Sequence, residues 1–127
     1  MPVLADIYWA ERMVEIVASS ESLEAMAAFI EGASDGDRLD VQPTKTSASP
    51  YVGFCRQISV RHCGVRVLID RCENELIICG SRENLRPLAS TIRGVAATDD
   101  EGHVHFEYFE GDWQLDPESI PLVIGRD

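Results

Sequence analysis

The sequence predicts an α+β fold: a two-layer sandwich with a mostly antiparallel sheet of about six or seven strands and two helices on one face, built from a duplicated β-α-β-β unit. Three observations lead there. Two stretches carry apolar residues at helical spacing, several short runs are rich in β-branched residues, and the segments around the two helices align with one another.

Taken in order, MVEIVAS at 13–19 is β-rich, and SSESLEAMAAFIEGA at 19–33 places Leu23, Met26, Ala27 and Ile30 on one helical stripe. Ser19 or Ser20 can cap that helix, because a hydroxyl accepts a hydrogen bond from an otherwise unpaired amide of the first turn, and Gly32 can help end it. The polar turn SDGD leads to RLDVQ, read as a strand. After the loop PTKTSASPYVG come FCRQISVRH, a turn at Cys63 and Gly64, and the hairpin strand VRVLIDR. ELIICG is the next strand, and SRENLRPLASTIRGVA repeats the helical stripe with Leu85, Leu88, Ala89 and Ile92. Pro87 sits near the start of that helix, where a missing amide donor costs little. HVHFEYF and PLVIG close the chain as strands.

Residues 15–32 lie over residues 77–94 without a gap, matching Ser19 with Ser81, Glu21 with Glu83, Leu23 with Leu85, Ala27 with Ala89, Ile30 with Ile92 and Gly32 with Gly94. RLDV then falls opposite HVHF, and QISVRH opposite PLVIGRD. The expectation is one domain over 1–127 with an internal repeat at approximately 12–62 and 74–127. Each helix has one apolar stripe to bury, so one sheet face meets both helices and the other is free to be wet.

Composition narrows the function classes. The 127 residues suffice for one core, and 45% hydrophobic with 26% charged residues is ordinary globular usage. No apolar run approaches the roughly 20 residues of a spanning helix, and MPVLADIYWAERM lacks the basic start and apolar run of a signal peptide, which points to a cytoplasmic protein without a membrane partner. Cys55, Cys63, Cys72 and Cys79 are then expected as reduced thiols, and their wide, irregular spacing lacks the tight pairs of a zinc site. The net charge of −11 argues against nucleic acid, whose phosphates such a surface repels. The same field attracts a basic partner and speeds its encounter.

The stretch GHVHFEYFEGDW at 102–113 concentrates the chemistry. Strand alternation puts Val104, Phe106 and Tyr108 toward the core and His103, His105, Glu107 and Phe109 on the other face. The imidazoles would stand about 6.5 to 7 Å apart, near enough to share a metal if they lean together, with Glu107 or Glu110 as a third ligand. That reading, a metal-binding enzyme or sensor, competes with a plain solvent face. Elsewhere there is no nucleophile elbow, P-loop or GxGxxG, and adjacent His62 and Cys63 would point to opposite faces of a strand. No catalytic residue, cofactor-binding residue or metal ligand is therefore assigned. The loop FEGDWQLDPES instead joins acids to aromatics, so Glu107, Glu110, Asp112 and Trp113 form the candidate partner-binding set: an aromatic anchor ringed by charge buries apolar area while steering a basic protein. Trp113 and Leu115 plugging the sheet edge is the competing account, and open sheet edges also allow a homo-oligomeric scaffold.

The run ISVRHCGVRVLIDRCENELIICGSRENLRPLASTIRGVA, then HVHFE, then LDPESIPLVI, resembles immunity protein family 32 of bacterial polymorphic toxin systems over roughly residues 58–124. The carrying motifs are Gly-Ser-Arg-Glu before a Leu-x-x-Leu-Ala helix, a His-x-His strand and a Ser-x-Pro-Leu-Val-Ile ending. The resemblance implies a small cytoplasmic, non-enzymatic protein that binds and neutralises a cognate toxin, often a nuclease in such systems. It carries no binding residues over to this sequence.

Overall fold

Two helices and nine strands form from these segments in the computed structural model, which describes residues 2–98, 102–112 and 114–127. The first strand, β1 (Val3–Ala10), turns at once into β2 (Met13–Ala18), with Ile7 opposite Ile16. Helix α1 (Ser20–Gly32) follows, its first turn capped by Ser19 Oγ, which accepts from the Ser22 amide at 3.2 Å. Then come β3 (Arg38–Gln42), the two-residue β4 (Gly53–Phe54) and β5 (Gln57–Arg61). The second half runs β6 (Leu68–Cys72), β7 (Glu75–Cys79), α2 (Arg82–Ala96), β8 (His103–Phe106) and β9 (Leu122–Arg126). Ser81 Oγ caps α2 through the Asn84 amide at the same 3.2 Å. Helix α2 continues past Gly94 to Ala96, whereas α1 ends at Gly32.

The sheet order is β6-β7-β5-β3-β1-β2-β9-β8, with β4 paired to β1. This corrects the expected six or seven mostly antiparallel strands. The sheet is mixed, because β1 runs parallel to β3, β2 to β9 and β5 to β7. The β1–β3 pairing lies within the first half, whereas the other two come from exchange between halves, in which the last strand of each half slots beside the hairpin of the other. Thus β9 lies against β2, and β5 against β7. Two strands also escaped the expected set, β1 at the N-terminus and the short β4.

The order reads as two runs of one pattern, β6-β7-β5-β3 and β1-β2-β9-β8, and the registers agree as well. Ile77 of β7 faces Ser59 of β5, while Glu15, its counterpart in the 15–32 over 77–94 alignment, faces Val123 of β9.

Alternation sends Ile7, Val14, Ile16, Ile58, Val60, Ile69, Leu76, Ile78, Leu122 and Ile124 to the face that meets both helices. Leu23, Met26, Ala27 and Ile30 of α1, with Leu85, Leu88, Ala89 and Ile92 of α2, complete a single core spanning both halves. The helices also touch one another. Ser20 Oγ donates to the Ala96 carbonyl at 2.6 Å, and Arg93 reaches Glu31 at 3.1 Å and Glu24 at 3.7 Å.

The β6 edge is covered. Val67 forms a parallel bridge with Leu115, its amide donates to the Gln114 carbonyl at 2.7 Å, and the Ile120 amide donates to the Ile69 carbonyl at 2.9 Å. Unpaired strand edges invite association, so this cover removes one route to edge pairing.

Because Leu122 is fully buried at the point where β9 crosses between halves, Leu122→Ala should lower the unfolding free energy by about 2–5 kcal/mol. Urea-induced unfolding followed by circular dichroism measures it. A loss below about 1 kcal/mol would contradict a core position for β9.

Candidate functional site

Strand β8 arranges its side chains by alternation. His103, His105 and Glu107 are exposed, while Val104, Phe106 and Tyr108 pack against the core. The strand itself stops at Phe106, residues 107–112 leave it without further sheet pairing, and Leu115 bridges Val67 beside β6. Cross-strand pairing extends the outer face into a row: His105 lies opposite Val123, Val123 opposite Glu15, Glu15 opposite Tyr8 and Tyr8 opposite Phe54.

The far end of this row is tied by the loop before β4. Tyr51 stacks on Tyr8 with ring centroids 4.7 Å apart, and its hydroxyl donates to Glu15 Oε1 at 2.5 Å. That bond to a carboxylate, and then partial burial, push the Tyr51 hydroxyl up to about 12. Burial first, then the charges of Asp6 and Glu15, also raise Tyr8. Asp6 is itself buried and accepts from the amides of Thr44 at 2.7 Å and Lys45 at 3.1 Å. These acids fasten a loop rather than face solvent.

The two imidazoles do lean together, with ring centroids 5.3 Å apart in an edge-to-face arrangement. Among the described residues, however, no three His, Cys, Asp or Glu side chains come together as a metal site. Glu110 lies past the end of the strand, at an exposed turn position.

Of the acids expected to meet a partner, Glu107 and Glu110 are exposed. Asp112 is not: it is 6% exposed, and its Oδ1 accepts from the amides of Gln114 at 2.8 Å and Leu115 at 3.2 Å. It therefore shapes the loop from beneath. Trp113 lies outside the described residues. Leu115 is buried beside Val67, which agrees with its reading as an edge plug. Phe109 stands 65% exposed next to the acids.

Between α2, β8 and this loop lies a cavity of about 360 Å³. Leu88, Val104, Phe106 and Leu115 give it apolar walls, Phe109 stands at its lining, and Asp112 supplies a carboxylate. Sequence reading missed the cavity, because its walls come from segments far apart in the chain. The aromatic row was nearer to hand: VLADIYWA alternates, with Ala5 and Ile7 inward and Asp6 and Tyr8 outward, the period of a half-buried strand.

Residues 75–127 match the family model of immunity protein 32. The match supports the resemblance carried by the Gly-Ser-Arg-Glu, His-x-His and Ser-x-Pro-Leu-Val-Ile motifs, and it contains β7, α2, β8, β9 and the loop with Glu107, Glu110 and Asp112. No curated protein and no solved structure matches the chain.

The tyrosine cluster makes stability sensitive to alkali. The raised Tyr51 hydroxyl stabilises the fold fully below its unfolded value of about 10, and that contribution is lost as pH rises toward about 12. Buried Cys55, pushed up to about 12 by desolvation, acts in the same direction from about 9. Thermal midpoints measured from pH 9 to 12 should fall, and in Tyr51→Phe they should fall less steeply, from a starting stability about 1 kcal/mol lower. Parallel slopes in the two proteins would contradict the Tyr51–Glu15 linkage.

Proposed function

We propose that the chain is an immunity protein: it binds a toxin made by the same cell and blocks it, docking through the surface around β8 and the 107–114 loop. The match of residues 75–127 to immunity protein 32 carries this reading. The chemistry of the surface supports it. Glu107 and Glu110 project from one short segment beside exposed Phe109, on a chain whose net charge is −11. Such a surface steers a basic partner from a distance and offers apolar area on contact. A nuclease toxin fits the charge, because its active surface is built to attract phosphates that a row of carboxylates imitates. Inhibition by binding needs no catalytic constellation in this chain, and the partner supplies the chemistry that is blocked.

The metal reading receives no comparable support, since the histidine pair lacks a third ligand among the described residues. No helix among those residues is long and apolar enough to cross a membrane.

The same proposal takes the chain as a duplicated unit, now extended to β-β-α-β-β. Residues 3–32 align with residues 65–94 at one fixed offset, matching Val3 with Val65, Ile7 with Ile69, Glu11 with Glu73, Ile16 with Ile78 and Leu23 with Leu85. The two equivalent strand orders support this reading.

Co-expression tests the function directly. The toxin encoded by the neighbouring gene should be tolerated with this chain and lethal without it, and the purified pair should bind with an affinity that falls as salt is added. Glu107→Lys with Glu110→Lys should weaken binding by about tenfold or more, mainly by slowing association. Wild-type affinity in the double variant would move the docking surface elsewhere, and failure of the unaltered chain to bind or protect would reject the immunity reading.

A further inference from the structure

Asp112 is more than a loop fastener. Its Oδ1 accounts for both backbone amides it receives, yet its second oxygen, Oδ2, accepts no hydrogen bond from any described residue. An asparagine or serine would hold the same turn without burying a charge. Among the described residues no lysine, arginine or histidine pairs with Asp112; the ion pairs there are Arg38 with Glu75 and Arg93 with Glu24 and Glu31. The residue is 6% exposed, but the fully enclosed polar side-chain atoms without a partner among the described residues are Ser59 Oγ and Arg126 Nε, so Asp112 Oδ2 keeps contact with solvent and is open to a ligand. It is placed at the wall of an apolar cavity that opens on the proposed docking surface.

We infer that this cavity, between α2, β8 and the 107–115 loop, is the anchor pocket of the docking surface and receives one arginine side chain of the bound toxin. The inference rests on the immunity reading for the identity of the partner. The fit follows from shape and charge. Leu88, Val104, Phe106 and Leu115 line a space of about 360 Å³ suited to the aliphatic stem of a long side chain rather than to an extended segment. Asp112 waits at the wall for the charged head. Phe109, largely exposed at the same cavity, offers a flat face for a planar guanidinium, which tolerates partial dehydration better than an ammonium. A cation in the pocket pairs with the open Oδ2 in place of solvent, and that charge-assisted contact exists only in the complex. Anionic or purely apolar side chains lack it.

Binding to the neighbouring toxin domain tests the inference with two independent variants. Thr91→Trp fills the cavity from α2, where Thr91 is part of the lining. Asp112→Asn removes the charge while keeping an oxygen for the turn. Both should weaken the complex by about tenfold or more, chiefly through faster dissociation, with an unchanged thermal midpoint. Glu21→Gln on exposed α1 should bind within about twofold of wild type. On the toxin side, replacing one surface arginine by alanine should reproduce the loss, with no further loss when combined with Asp112→Asn. If wild type binds but Thr91→Trp and a folded Asp112→Asn bind equally well, the pocket assignment is overturned and the immunity reading stands.

If wild type does not bind the toxin, the immunity reading fails, and N-acetylarginine amide then decides the pocket alone. Saturable amide shifts at Asn84, Thr91 and Gln114 that vanish in Asp112→Asn, and are absent with N-acetylglutamine amide, support the pocket. Absent or equal shifts overturn it.

Discussion

Exchange of the last strands between the two halves is the constraint on which the rest of the molecule depends. β9 pairs with β2 through Val14 and Leu122 and through Ile16 and Ile124, and β5 pairs with β7 through Ile58 and Leu76 and through Val60 and Ile78. All eight side chains are buried. Neither hairpin can therefore cover its inner face using its own half, because the strand that completes it arrives from the other. The helices follow the same logic, with Leu23 and Leu85 in one core and Arg93 of the second helix bound to Glu31 of the first. Local opening of one half would expose apolar surface in both, which favours a cooperative transition.

This exchange also places the candidate surface. Among the described residues β8 pairs with β9 alone, and β9 is fixed by β2, so the position of His103 to Phe106 is set by the first hairpin of the chain. From the end of β8 the loop must return to β6, where Leu115 bridges Val67. The cavity is what remains between that return path and α2. Asp112 stabilises the turn at its base by taking two amides on one oxygen. The segment that carries the candidate contacts is thus held at both ends, by β9 before it and β6 after it. A loop so anchored gives up little conformational freedom on binding, and that preserves affinity.

Much of this was legible in the sequence where the signal is local. Both helices, the serine cap of the first, and the inward set Val104, Phe106 and Tyr108 follow from periodicity and capping, which depend on neighbours a few residues away. The strand order did not follow. Val14 meets Leu122 across almost the whole chain, and nothing near either residue announces the other. β1 carried a period-two pattern, but Asp6 and Tyr8 on its outer positions read as a polar N-terminus unless the strand is sought. The acidic loop shows the same division. Composition placed Glu107 and Glu110 on the surface, where they are, while the burial of Asp112 depends on the turn that it caps and on a helix and strand it touches only after folding.

On the proposed reading, the carboxylates divide the work of recognition by distance. Exposed acids act through solvent, where salt limits their reach to about 8–10 Å, so they raise the rate of encounter and contribute modestly to the finished complex. A carboxylate at an apolar cavity acts over a few ångströms and is screened much less, but it is useful only when a cation can enter that cavity. Asp112 meets that condition because Leu88, Phe106 and Leu115 wall the approach. A partner that is merely basic would be attracted and released, whereas one that also presents an arginine in register would be retained. Specificity can then reside in the shape of this one cavity, while net charge sets the rate of encounter.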